Sequence, residues 1–174
     1  RFWLERSKDL DRELYGIVKW CNSDLEFGLN VWNRNHFNPV RKAQWPWEEQ
    51  TLYADWVKPI TYQHQSGLIY LNEMTAFHKT ILRDFTPQEL TPLIYKLLGL
   101  KEAPWDEVVQ QGMDPDTYVY GQCADAVRGV NGKVPVYMGL GVDAPRTRAD
   151  QATCTPDIVY RSVLATYRAG GKGV

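Results

Sequence analysis

Two short stretches of this chain set flat apolar rings beside planar polar groups, Trp32 with Asn33, Asn35 and His36 and Tyr62 with Gln63 and His64, and a third sets Asp143 near Arg146. Trp45 and Trp47 add two more rings just after the first stretch. A pyranose presents an apolar C–H face and a rim of hydroxyls. Aromatic faces suit the first, and amide, imidazole and guanidinium groups suit the second. Sugar binding is therefore one chemistry these residues can do. Packing of a long loop accounts for Trp32, Trp45 and Trp47 as well, and a satisfied structural histidine accounts for His36 or His64 taken alone. Both readings stay open at this point.

Hydrolysis of a glycosidic bond takes two carboxyl groups, one to protonate the leaving oxygen and one to attack or to activate water. Asp143 is the candidate, because it closes the apolar run KVPVYMGLGV; its alternative role is to cap the loop before Pro145. His36, His64 and Asp143 could serve a metal as nitrogen and oxygen ligands, yet their spacing matches no ligand pattern such as HExxH. No GxSxG nucleophile elbow occurs. No metal or cofactor is expected.

The composition excludes several classes. With 20 Lys plus Arg against 21 Asp plus Glu, the net charge of -1 gives no broad basic field for a nucleic acid backbone. No apolar window approaches the roughly 18 residues of a membrane-spanning helix, and no signal-peptide core follows Arg1. The chain reads as soluble, with its compartment open and secretion or the periplasm compatible. Cys21, Cys123 and Cys154 are odd in number and far apart, as small core residues would be rather than a disulfide framework. A length of 174 residues and a hydrophobic fraction of 44% allow one domain with a real core.

The elements that must position the candidates follow from periodicity. Trp3, Leu10, Leu14, Ile17 and Cys21 recur at helical spacing over 2–21, with charged residues on the other face. Alternation predicts strands over 25–32 and 55–62, the second weakened by Pro59. Helices are expected near 67–84, 87–98, 104–111 and 115–130, and a short one after Pro46; Thr86-Pro87-Gln88-Glu89 supplies a capping box for the second. A strand over 133–142 and a helix from Pro156 to the Gly170-Gly171 stop come next, the helix carrying Ile158, Val159, Val163 and Tyr167 inward. Gly173 falls where a further strand should begin. Strands separated by helices favour a parallel sheet, and the absence of a GxGxxG turn argues against a dinucleotide-binding fold.

The runs LEFGLNVWNRNHFNP, ADWVKPITYQHQSG, TPQELTPLIYKLLGLKEAPWDE, VPVYMGLGVDAP and TPDIVYRSVLATYRAGGKGV resemble, in order and spacing, the C-terminal half of the glycoside-hydrolase-like TIM barrels, relatives of the cellulase and amylase barrels. The resemblance implies an α/β fold: a partial (β/α)8 barrel of the last four βα units, its strands beginning near Leu25, Trp56, Val134 and Gly173. Residues 1–174 would be a single-domain fragment with a helical insertion over about 67–131. It also implies a glycoside hydrolase acting on a poly- or oligosaccharide, with Trp32, Asn33, Asn35, His36, Trp45, Tyr62, His64 and Arg146 as substrate-binding residues. Asn72-Glu73 is similar to the acid/base pair of cellulase-type barrels, which makes Glu73 a second catalytic candidate beside Asp143. The pair departs from that pattern by running on into Phe77, Ile81 and Leu82 at helical spacing, where Glu73 would be a solvated helix position. The rival readings are a carbohydrate-binding barrel without catalysis and a scaffold whose tryptophans meet another protein. A half-barrel would expose two sheet edges, so the missing half or another chain is expected to cover them.

Overall fold

The computed structural model describes residues 2–32, 37–101, 103–111, 113–142 and 154–174, without the side chains of residues 109 and 111. A long helix, α1 (Phe2–Cys21), leads to strand β1 (Gly28–Val31). Two short helices follow, α2 (Pro39–Gln44) and α3 (Trp47–Gln50), and then strand β2 (Trp56–Pro59). The rest is α4 (Gln63–Lys79), α5 (Pro87–Leu98), α6 (Trp105–Gln111), α7 (Tyr118–Val130) and α8 (Pro156–Arg168).

Two of the start signals act as the sequence predicts, while α7, expected from about residue 115, begins at Tyr118 after Thr117, which makes no side-chain cap bond. Thr86 accepts the Glu89 N–H while the Glu89 carboxylate accepts the Thr86 N–H, closing the capping box of α5. Thr155 caps α8, with Pro156 in its first turn. One helix was not foreseen: in α2, Asn38 Oδ1 accepts the N–H groups of Val40 and Arg41, ahead of Pro39.

The expected partial barrel of four βα units is overturned. The chain is mostly helical, and among the described residues one sheet holds only the parallel pair β1·β2, with Gly28 opposite Trp56 and Val31 opposite Pro59. Where a third strand was expected, isolated parallel bridges join Val57 to Val136 and Ile60 to Gly139; where a fourth was expected, one bridge joins Tyr137 to Gly173. Pro59 supplies a physical reason. Val57 N–H donates to the Pro135 carbonyl at 3.1 Å and Thr61 N–H to the Gly139 carbonyl at 2.9 Å. The rung between them belongs to residue 59, which as proline has no N–H to give. The ladder is broken at its middle.

The core lies in the helices that an insertion was expected to contribute. Phe37, fully buried, stacks on Tyr118 with ring centroids 5.5 Å apart and meets Tyr70 edge-on at 5.5 Å. Tyr70 stacks in turn on Tyr95 at 5.1 Å and touches Trp105 at 6.4 Å. Met74, Leu90, Ile94, Val119, Cys123 and Ala126 fill the space around this aromatic column.

Two expected faces are turned the other way. The stripe Trp3, Leu10, Leu14, Ile17 and Cys21 of α1 is exposed, and the helix meets the body through its polar side. Lys8, 5% exposed, bonds to Glu49 at 2.7 Å, as does Arg12; Lys19 pairs with Asp55 at 2.9 Å. Tyr15 adds an edge contact to Phe27. In α8 the buried residues are Ser162, Ala165 and Thr166, while Tyr167 faces solvent and Ile158, Val159 and Val163 are half-buried. Small residues are needed there because the backbone of the α8 stop comes close: a Cβ on Gly171 would meet Cys123 Sγ at 2.9 Å and Thr166 Cγ2 at 2.7 Å. Of the three cysteines, only Cys123 is buried; Cys154 is half-buried and Cys21 exposed, and all are free.

Phe37 ties the segment before α2 into four helices, so Phe37→Ala is expected to cost about 3–5 kcal/mol of stability, measured by urea unfolding. A loss below about 1 kcal/mol, the size of a surface substitution, would show that the column does not organise the core.

Candidate functional site

The turn from β2 into α4 is built on backbone exposed by the broken ladder. Thr61 and Tyr62 both donate their N–H groups to the Gly139 carbonyl, at 2.9 and 3.2 Å, and the Thr61 hydroxyl donates to it as well. The Ser66 hydroxyl donates back to the carbonyls of Thr61 and Tyr62. Tyr62 takes a left-handed conformation with φ 36°, unusual for an aromatic residue, and these bonds hold it there.

The next residue acts as a substitute strand. The Gln63 side-chain amide donates to the Gly141 carbonyl at 2.8 Å, and its oxygen accepts the Gly141 N–H at 3.1 Å, closing a two-bond ring as a paired backbone would. Cys154 donates its thiol to the same carbonyl at 3.1 Å. His64 lies against Gly141 so closely that a Cβ there would sit 2.1 Å from Nδ1. That nitrogen is buried without a hydrogen-bond partner among the described residues, and burial holds the imidazole below its ordinary pKa, so the neutral ring is favoured. The rings of Tyr62 and His64 lie 6.1 Å apart.

A cavity of about 720 Å³ opens elsewhere, between α2, α3, α5 and α7. Trp45 and Trp47 line it, with Arg41, Lys42, Gln50, Asp125 and Arg128. Both indole nitrogens are already engaged: Trp45 donates to the Tyr53 hydroxyl at 2.9 Å and Trp47 to Asp125 at 3.0 Å. Trp47 also rests on Gly129, where a Cβ would come within 2.5 Å of the tryptophan. Asp125 takes Lys42 at 3.0 Å, and the other lining carboxylate, Glu48, takes Lys133 at 3.0 Å. Arg41 has no ion-pair partner among the described residues. Gln50, 1% exposed, donates to the Trp45 carbonyl at 3.2 Å, and its side-chain oxygen has no partner among the described residues.

A second cavity of about 330 Å³ lies along β1, lined by Asn30, Trp32, Trp45 and Gln50 with Ser7 and Asp11 of α1. The structure thus groups the expected residues into two places. Trp32 and Trp45 share the cavity along β1, while Tyr62 and His64 form a separate pair at the end of β2 and line neither cavity. Asn33, Asn35, His36, Asp143 and Arg146 lie outside the described residues. Glu73 is not the solvated residue expected of a helix surface: it is 5% exposed in the middle of α4, remote in sequence from a strand end, and lines neither cavity. No group of three His, Cys, Asp or Glu side chains that could hold a metal occurs among the described residues.

Sequence reasoning passed over Arg41, Lys42, Asp125 and Arg128. The Asn38-Pro39 pair is a helix-start signal that would have put Arg41 and Lys42 on a helix beside Trp45. Nothing local ties Asp125 to Trp47, which are 78 positions apart in the chain. Comparison with family profiles, with curated proteins and with solved structures found no match for this chain.

The sign of the His64 effect is fixed by its direction. A folded-state pKa below the ordinary 6.5 means that protonation opposes folding. The stability tied to neutral His64 is complete above about pH 6.5, where the unfolded imidazole is also neutral, and is lost as the pH falls towards the folded value. Unfolding midpoints in urea should fall between pH 7 and 5, and fall less in His64→Gln. An unchanged slope in that variant would remove His64 as the cause.

Proposed function

We propose that this chain is carbohydrate-active and that the Trp45–Trp47 cavity is where it holds a sugar. The observation that supports this reading is the state of the two indoles. With their N–H groups engaged by Tyr53 and Asp125, they have only ring faces to offer a ligand, and Arg41, Lys42 and Gln50 stand beside them as hydrogen-bonding groups. A stacked pyranose needs both. Trp32 would extend the wall along β1, and Tyr62 with His64 would serve a further part of a longer saccharide.

Binding without hydrolysis is the form of this reading we favour, because both carboxylates lining the cavity are occupied by cations. The hydrolytic form rests on Asp143 as acid, base or nucleophile and on a second carboxyl group still to be found.

Titration of tryptophan fluorescence with soluble oligosaccharides tests the proposal. Saturable quenching is expected, with Trp45→Ala weakening the affinity about tenfold, the equivalent of about 1.4 kcal/mol. Absence of quenching by any neutral or acidic oligosaccharide would sink the carbohydrate reading. Release of aryl alcohol from aryl glycosides, abolished in Asp143→Asn with sugar binding retained, would move the assignment from binding to hydrolysis.

A further inference from the structure

The most exposed apolar surface of the chain is the outer side of α1. Trp3 is 84% and Trp20 87% exposed, and Phe2, Leu10, Leu14 and Ile17 are exposed with them. At 100° per residue, Trp3, Leu10, Leu14, Ile17 and Cys21 fall within one narrow stripe, with Phe2 and Trp20 both roughly 90° round the helix on the same side of it. Lys8 and Tyr15, which bind the body, lie on the opposite side. The helix is held through its polar side and shows its apolar side outward.

The size of this surface decides what covers it. Trp3 with Leu10, Leu14, Ile17 and Cys21 offers roughly 500 Å² of apolar surface, and Trp20 at one flank adds about 200 Å², which brings the face close to the roughly 800 Å² per partner that a standard interface buries. A patch on a monomer is ordinarily about 300–600 Å². The steps between stripe residues after Leu10 are four, three and four, the seam of a two-helix coiled coil. Such a seam is complementary to another helix of the same spacing, which a second copy provides.

We propose that α1 pairs with α1 of a second copy of this chain across a two-fold axis, the two helices running antiparallel and crossing near residue 12. This direction sets Leu10 against Leu14 of the partner subunit and Trp3 against Cys21 of the partner subunit, a large residue on a small one. A parallel pair would stack Trp3 on its own copy. Antiparallel packing also places the helix dipoles head to tail. The net charge of -1 gives two copies little reason to repel. A membrane surface is the weaker alternative, because the exposed flanks mix Arg6 with Asp9 and Glu13 in place of the cationic rim that binds anionic lipid.

Sedimentation of the full-length protein over the micromolar range is expected to show a concentration-dependent monomer–dimer equilibrium. Leu14→Glu should shift it to monomer with an unchanged circular dichroism spectrum, since Leu14 is outside the core of the single chain. A wild type that stays monomeric, or a dimer indifferent to Leu14→Glu, overturns the proposal. The direction has its own readout: under mild oxidation Trp3→Cys should gain an intermolecular disulfide with Cys21 of the partner subunit. A wild type that cross-links through Cys21 to its own copy would overturn the antiparallel arrangement. Co-sedimentation of the wild type with phosphatidylcholine vesicles, lost in Leu14→Glu, would assign the face to a membrane instead.

Discussion

The burial of one phenylalanine constrains more of this molecule than any strand does. Phe37 lies between β1 and α2, and its ring sits between Tyr118 of α7 and Tyr70 of α4. Through Tyr70 it is coupled to Tyr95 of α5 and to Trp105 of α6. Offset stacking and edge contacts fix distance and angle together, which aliphatic packing does not. The segment that follows, with α2, α3, Trp45 and Trp47, therefore leaves the core from a fixed point. The position of the large cavity is inherited from that anchor, and Trp47 returns to the body on Gly129 and Asp125 of α7.

Around β2 the backbone is completed by side chains. Pro59 removes a rung from the pairing with 136–139, and the chain compensates just beyond it. Thr61, Tyr62 and Ser66 close the turn, and the Gln63 amide pairs with Gly141 as a strand would. A buried backbone group without a partner costs about as much as a lost hydrogen bond, so this substitution is what allows the end of β2 to be buried at all. His64 completes the same arrangement by packing its ring on a residue that carries no side chain.

Much of this was legible in the sequence where the signal was local. The capping box at Thr86, the Thr155-Pro156 start and the apolar period of α7 each act within one turn of helix, and α1, α5, α7 and α8 stand where those signals put them. What failed depended on partners far along the chain. The period of Trp3, Leu10, Leu14 and Ile17 predicts a stripe but says nothing about which face meets the body; Glu49 and Asp55 decide that, by drawing Lys8, Arg12 and Lys19 inward. The four-strand reading is overturned: Pro59 was legible as a weak point of the strand over 55–62, but that it reduces the pairing with 136–139 to isolated bridges depends on a segment far along the chain. At the candidate site Trp32, Trp45, Tyr62 and His64 were readable by type, while the large cavity that takes up Trp45 is closed by Asp125 and Arg128 from α7.

The way α1 is attached gives it a separate thermodynamic life. Among the described residues its ties to the body include three cations on two carboxylates, Arg12 over the Tyr53 ring, one edge contact between Tyr15 and Phe27, and Lys19 donating to the Leu25 carbonyl. None of these passes through the aromatic column. Breaking them exposes little apolar surface, so the amides of α1 exchange with solvent through a local opening far cheaper than global unfolding. Added salt lowers that opening energy further by screening the exposed members of the network. The first element of the chain is thus a semi-independent cooperative unit whose population of detached states follows ionic strength, while the helices around Phe37 open only together.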